Sequence, residues 1–161
     1  MHLPHPLYAG TLCRRSKRFL VEVLLDEKGL VRAHCADPGR LPGLAVEGAR
    51  VWLSEHRQPH RRLPFTLELI EQHGTLVGVN SRNPNRLARE GFFEQRFAFA
   101  RGFLPRKSEP KLADGSRLDF LLEDAGGRRL WVEVKGVSWR RDGGVAAFPD
   151  APTLRGQRHL Q

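Results

Sequence analysis

The sequence predicts an α+β chain: a small closed β-barrel over residues 1–80, then a mixed domain of helix and strand over residues 81–161. Three observations predict it. Short apolar runs separated by turn formers fill the first half, as strands at regular spacing do. At Asn83-Pro84 the pattern changes to a helix-start signal. Further on, Ser116–Glu123 and Leu130–Gly136 are two strand-like runs split by a turn segment, Asp124–Arg128.

The barrel strands follow in order. Leu7–Cys13 is the first apolar run, and Phe19–Leu25 is the second. In the second, Phe19, Val21, Val23 and Leu25 alternate, which assigns Phe19 to the core. After a turn at Asp26–Gly29, Leu30–Cys35 returns. Asp37–Gly43 is a loop rich in Pro and Gly. Val51–Ser54, Phe65–Glu71 and Thr75–Asn80 complete the set. So many short strands favour closure, because a closed barrel has no exposed edges. An oligonucleotide-binding (OB) barrel is the best specific match, and an SH3-like barrel fits the same pattern.

In the second half, Asn83 is placed as N-cap and Pro84 as the first helical residue. The helix is expected to run to about Ala98, with Leu87, Phe93 and Phe97 near one face. Glu90 projects towards that side or stands at its edge in water. Thr153 is a cap candidate for a short final helix reaching Leu160.

The hairpin carries the chemistry. Centred on Gly126, it sets Leu122 opposite Leu130 and Asp119 opposite Glu133. Directly opposed side chains share a face. Lys135, two residues beyond Glu133, shares it too. Opposed carboxylates repel unless a cation lies between them, and a divalent metal or the Lys135 ammonium supplies one. Two acids and a lysine on one strand pair form the constellation of metal-dependent nucleases of the PD-(D/E)xK type. A solvated Glu-x-Lys surface pair is the plainer alternative.

Composition narrows the function classes. The chain has 27 basic and 18 acidic residues, net +9, which suits a polyanionic partner. With 40% apolar residues, a packed core is expected. Cys13 and Cys35 form no Cys-x-x-Cys pair, and no apolar run approaches membrane-spanning length. A reduced, cytoplasmic protein without membrane contact is the expectation. Basic residues cluster on two barrel loops: Arg14, Arg15, Lys17 and Arg18 on one, Arg61 and Arg62 on the other. They are candidate phosphate contacts.

Taken together, the residues resemble the bacterial sugar fermentation stimulation protein family (SfsA). The matching stretches in the first half are Ser16–Leu20, His34-Cys35 with Gly39, Val51–Ser54, Arg62–Glu68 and Val79-Asn80. Those in the second are Asn85–Leu87, Ser116–Leu122, Val132–Lys135, Phe148–Ala151 and Arg155–Leu160. Gly91 departs from the pattern, where a larger residue is usual, and so does the Ala36–Arg40 loop.

The resemblance implies an OB-like N-terminal barrel and a PD-(D/E)xK nuclease-like α/β domain. It implies that this domain is incomplete, because family members continue past the position of Gln161. DNA binding is implied, and the basic loops are expected to hold the phosphate backbone with little sequence preference. By position, Glu90 matches the helix carboxylate, Asp119 the strand acid, and Glu133 and Lys135 the Glu-x-Lys pair. Asp119 and Glu133 are the expected ligands of Mg²⁺ or Mn²⁺, with phosphodiester hydrolysis as the reaction. A non-catalytic DNA-binding regulator of sugar-utilisation genes is the alternative, and an OB-type RNA binder is a third.

Overall fold

The computed structural model describes residues 1–58, 60–140 and 145–147. The short final helix expected near Thr153 lies outside the described residues. The chain divides into two compact units. One contains His2–Arg82 and the other Asn83–Gly136.

The first unit is a barrel of β1 (Leu7–Ser16), β2 (Leu20–Leu25), β3 (Gly29–His34), β4 (Arg50–Glu55) and β5 (Phe65–Gln72), with β6 (Thr75–Gly78) added to β5 as a hairpin. The strand order is β3-β2-β1-β4-β5, closed by a parallel pairing of β3 with β5 at Ala33 opposite Phe65. This is a closed five-stranded OB-like barrel, as expected, and the SH3-like alternative is set aside. Closure needs curvature. Register shifts at Leu12/Arg14 in β1 and at Trp52/Leu53 in β4 supply bends. Gly10 permits a close approach of β1 to β2: a Cβ there would lie 2.6 Å from the Leu24 carbonyl oxygen.

Alternation fills the interior. Val21, Val23 and Leu25 of β2 are buried with Leu12, Ala33, Val51, Leu53, Leu67 and Ile70. Cys35 is buried among them, and that burial pushes its thiol pKa up. Phe19 corrects the expectation of a core position. It lies before β2 begins and is 48% exposed. Its ring faces that of His34 instead, nearly parallel at 13°, with centroids 6.4 Å apart. Periodicity assigned it inward because a two-residue repeat does not show where the strand stops covering its own end.

The second unit holds α1 (Asn83–Phe93), a 3₁₀ turn at Ala98–Ala100, and a sheet of β7 (Leu104–Ser108), β8 (Phe120–Glu123) and β9 (Arg129–Val132) in the order β7-β8-β9. The register is the one that Gly126 centring implies, with Leu122 opposite Leu130. Ala88 and Phe92 of α1 join Phe120 and Leu122 in a small core. Phe92 and Phe120 meet edge to face, centroids 5.7 Å apart.

Two expectations for the helix are corrected. Asn83 is the first helical residue, and its buried side-chain oxygen accepts no hydrogen bond, so it does not cap. The helix also ends five residues before Ala98. Gln95 takes φ +55°, Arg96 N–H donates to Gly91 O at 2.8 Å and Gln95 N–H to Phe92 O at 3.2 Å. These two bonds form a Schellman stop. The Gln95 amide holds the turn by donating to Phe92 O and Phe103 O at 2.8 and 3.0 Å. The early stop removes the proposed stripe. Leu87 and Phe93 are 51% and 53% exposed, and the buried face is Ala88 and Phe92. Gly91 now has a reason: a Cβ there would stand 2.5 Å from the Phe97 ring, which folds back over the helix.

Candidate functional site

Asp119 immediately precedes β8 and Glu133 immediately follows β9. The last ladder pair is Phe120 opposite Val132, so Asp119 and Glu133 flank that pair at adjoining strand ends and the ladder does not continue to them. Asp119 N–H donates to Val132 O at 3.1 Å, which keeps the strand ends together.

Asp119 is held from two directions. Its Oδ1 accepts the Asn85 side-chain amide at 2.7 Å, and its Oδ2 accepts the Val134 backbone N–H at 2.7 Å. The carboxylate thus replaces a strand carbonyl for Val134 and is oriented by the first turn of α1. Each of its oxygens accepts one bond and keeps further acceptor capacity. Glu133 Oε1 accepts from Lys135 Nζ at 3.0 Å. That pair is only partly screened from solvent, with side chains 25% and 50% exposed, so its own contribution to stability is small.

Glu90 is placed differently. Its carboxylate pairs with the Met1 ammonium and is 42% exposed, so the argument from a buried acid does not apply to it. Glu90 and Lys135 do share one surface. Both line an open cleft of about 470 Å³ walled also by Pro84, Leu87 and Val134. Among the described residues no group of three or more His, Cys, Asp or Glu side chains is arranged to hold a metal ion.

The basic residues of the barrel fall into two sets. Arg15 is a structural pin: its guanidinium donates to the carbonyls of Arg18, Asp37, Gly39 and Arg40 at 2.8–3.1 Å. Arg61 donates to Thr66 Oγ1. Arg14 is exposed but shares Glu22 with Arg32, at 3.4 and 3.5 Å. Lys17 and Arg18 form the exposed turn between β1 and β2, at φ +50° and +63°. Arg62 is exposed as well.

Sequence reasoning missed a buried polar network in the barrel. Glu68 is 1% exposed; its Oε1 accepts from Ser54 Oγ at 2.7 Å and its Oε2 from Asn80 Nδ2 at 2.9 Å. Ser54 Oγ lies 3.0 Å from His56 Nε2. With its own proton given to Glu68, the hydroxyl accepts from the imidazole N–H. Burial, and then the Arg61 charge, lower the His56 pKa. The available signal was an acid at position 68 inside the otherwise uncharged run Phe65–Ile70.

Comparison with known proteins matches both halves. Residues 13–79 match a family described as the SfsA N-terminal OB domain. Residues 82–161 match one described as the sugar fermentation stimulation protein RE domain. A sugar fermentation stimulation protein homolog from Rhodospirillum centenum is 44% identical over 161 residues, covering 100% of this chain and 69% of that protein. One from Geobacter sulfurreducens is 46% identical, covering 100% and 68%. The solved structure of Pyrococcus furiosus SfsA in complex with Ca²⁺ superposes with a TM-score of 0.83 at 28% identity, over 99% of this chain and 66% of that one. The chain thus spans about two thirds of the length of these relatives.

Proposed function

This chain belongs to the sugar fermentation stimulation protein family, and on that premise we propose that it binds DNA with little sequence preference and carries a nuclease-like divalent-metal site. Phosphodiester hydrolysis is the reaction such a site serves. The observation that carries the reading is Asp119, oriented by Asn85 and Val134 at a strand end that adjoins the one carrying Glu133.

The donor set fits the metal. Cations of the Mg²⁺ kind are held through one or two carboxylates, with water and phosphate oxygens taking the remaining positions. Asp119 and Glu133 supply two hard carboxylates, and the Asp119 oxygens keep acceptor capacity beside their hydrogen bonds. A relative solved with Ca²⁺ supports a divalent ion on this scaffold. Mg²⁺ or Mn²⁺ would supply charge neutralisation at the scissile phosphate and a lowered pKa for the attacking water. The chain's own residues do the rest. Asn85 and the Val134 N–H fix the Asp119 carboxylate. Lys135 offsets charge developing on the phosphoryl oxygens. Glu90 shares the cleft wall with Lys135 and acts through water. The barrel and its exposed Lys17, Arg18 and Arg62 hold backbone phosphates, which positions the strand without reading sequence.

A second reading is a non-catalytic DNA-binding regulator. It suits the relatives' name. Cleavage separates the two. Plasmid and oligonucleotide DNA are incubated with wild type and Lys135→Met in Mg²⁺, in Mn²⁺ and in chelator. Metal-dependent cleavage that drops by ~10²–10³ in Lys135→Met, with DNA affinity nearly kept, supports the enzyme. DNA binding without cleavage in either metal leaves the regulator. Preferential binding of RNA in competition would overturn the choice of DNA.

A further inference from the structure

The outer surface of β1, β2 and β3 ends in a feature that the metal site does not use. Phe19 is 48% exposed and nearly parallel to His34, outside the barrel core. The surface beside the pair is apolar and cationic. Leu24 and Leu30 are opposed across β2 and β3 and exposed by 52% and 68%. Between them and the ring pair lies a cross-strand row, Arg14–Glu22–Arg32. The exposed turn residues Lys17 and Arg18 directly precede Phe19 in the chain.

A single exposed ring is ordinary, but Phe19 with Leu24 and Leu30 on one basic-rimmed surface is the kind of patch that marks an interaction site. Four cations against the single carboxylate Glu22 make a peptide of ordinary composition a poor fit and a polyanion a good one. Flat rings add the second requirement, since every nucleobase has a π-face to stack when it is not paired. In duplex DNA those faces are occupied by neighbouring base pairs.

We propose that Phe19 and His34 form a base-stacking platform for single-stranded DNA, with Lys17, Arg18, Arg14 and Arg32 taking the adjoining phosphates. The proposal rests on the nucleic-acid-binding reading and sharpens it. Duplex is held through phosphates alone, whereas an unpaired strand gains the stack in addition.

The test measures binding of the full chain, by fluorescence anisotropy at one salt concentration, to three probes: a mixed-sequence DNA strand, the same strand annealed to its complement, and an abasic strand of the same length. Phe19→Ala is expected to lower affinity for the first probe roughly tenfold or more, the size of one lost base–aromatic stack. Duplex and abasic affinities should stay nearly constant, and Phe19→Trp should restore the single-strand affinity. Because Phe19 lies outside the core, its variants should keep the wild-type melting curve; His34→Ala gives a second, independent loss at the same platform. If Phe19→Ala and His34→Ala leave single-strand affinity unchanged while wild type binds all three probes, the platform is wrong and nucleic-acid binding stands. That pattern would also reassign the surface to a protein partner. If wild type binds none of the probes, the underlying reading itself is wrong.

Discussion

Asn85, on the first turn of α1, donates its side-chain amide to Asp119 Oδ1 at 2.7 Å. A helix residue thereby sets the angle of a strand-end acid, and the helix start becomes part of the site. Such supporting bonds orient a ligand before the ion arrives. Asn85→Leu is expected to weaken divalent-metal binding by ~10–100-fold, the usual effect of losing an outer hydrogen bond to a ligand. Calorimetric titration with Mn²⁺ reads this directly. Wild-type affinity in Asn85→Leu would mean that Asp119 is oriented by Val134 alone.

The buried acid of the barrel makes a stability prediction. Glu68 accepts from Ser54 and from Asn80. Glu68→Gln keeps both contacts only by turning its NH₂ towards Ser54, whose hydroxyl must then accept instead of donate, and the charge on the acceptor is lost either way. Asn80 cannot simply turn over, since its Oδ1 accepts the Arg82 N–H at 3.1 Å. One charge-assisted bond is lost, at about 1.5–3 kcal/mol. Urea unfolding should show the loss as a lower midpoint at unchanged slope. An unshifted midpoint would place the network outside the stability of the barrel.

The same network is pH-sensitive through His56. Burial and the nearby Arg61 charge hold its folded pKa below the usual value of 6.5. The unfolded chain then binds more protons than the folded one below that value, so stability falls with pH there. Above the usual value both states carry a neutral imidazole, and the contribution is flat. Unfolding free energy measured from neutral pH down to the onset of carboxylate titration should decline less in His56→Asn than in wild type. Identical profiles would show that His56 has the same proton affinity in both states.

Arg15 and its neighbours part ways under salt. Arg15 is spent on four loop carbonyls, whereas Lys17, Arg18 and Arg62 are exposed. Replacing those three by Ala should flatten the dependence of log K on log salt for duplex DNA by up to about 0.9 per lost phosphate contact. Arg15→Ala should leave the slope alone and lower the melting temperature instead. A slope change in Arg15→Ala equal to that of the triple variant would contradict its role as a pin.

Much of this was legible before the coordinates, and the exceptions have physical causes. Strand alternation and turn residues mark the five barrel strands and the added β6, and centring on Gly126 sets the hairpin register, because both signals are local. The helix end was not legible. Its Schellman stop uses Gln95 at positive φ, where glycine would have announced it. Phe19 was misassigned because its burial depends on where the barrel closes. Arg15 resembled its exposed neighbours because its partners, the carbonyls of residues 37, 39 and 40, come from a distant loop. The register brings Asp119 and Glu133 to adjoining strand ends, but the grip of Asn85 on Asp119 is a contact between residues 34 apart that no pattern displays.

At the centre of the proposed function is one divalent cation that we propose Asp119 and Glu133 share. Crystals soaked in Mn²⁺ and measured for anomalous scattering locate it without reference to activity. A single strong peak within coordination distance of both carboxylates, absent from Asp119→Asn crystals treated alike, is the predicted result. Asn at that position can still accept the Val134 N–H, so loss of the peak would report the missing charge and ligand. No peak near Asp119 in wild type, or an equal peak in Asp119→Asn, would contradict the metal site and, with it, the hydrolytic reading.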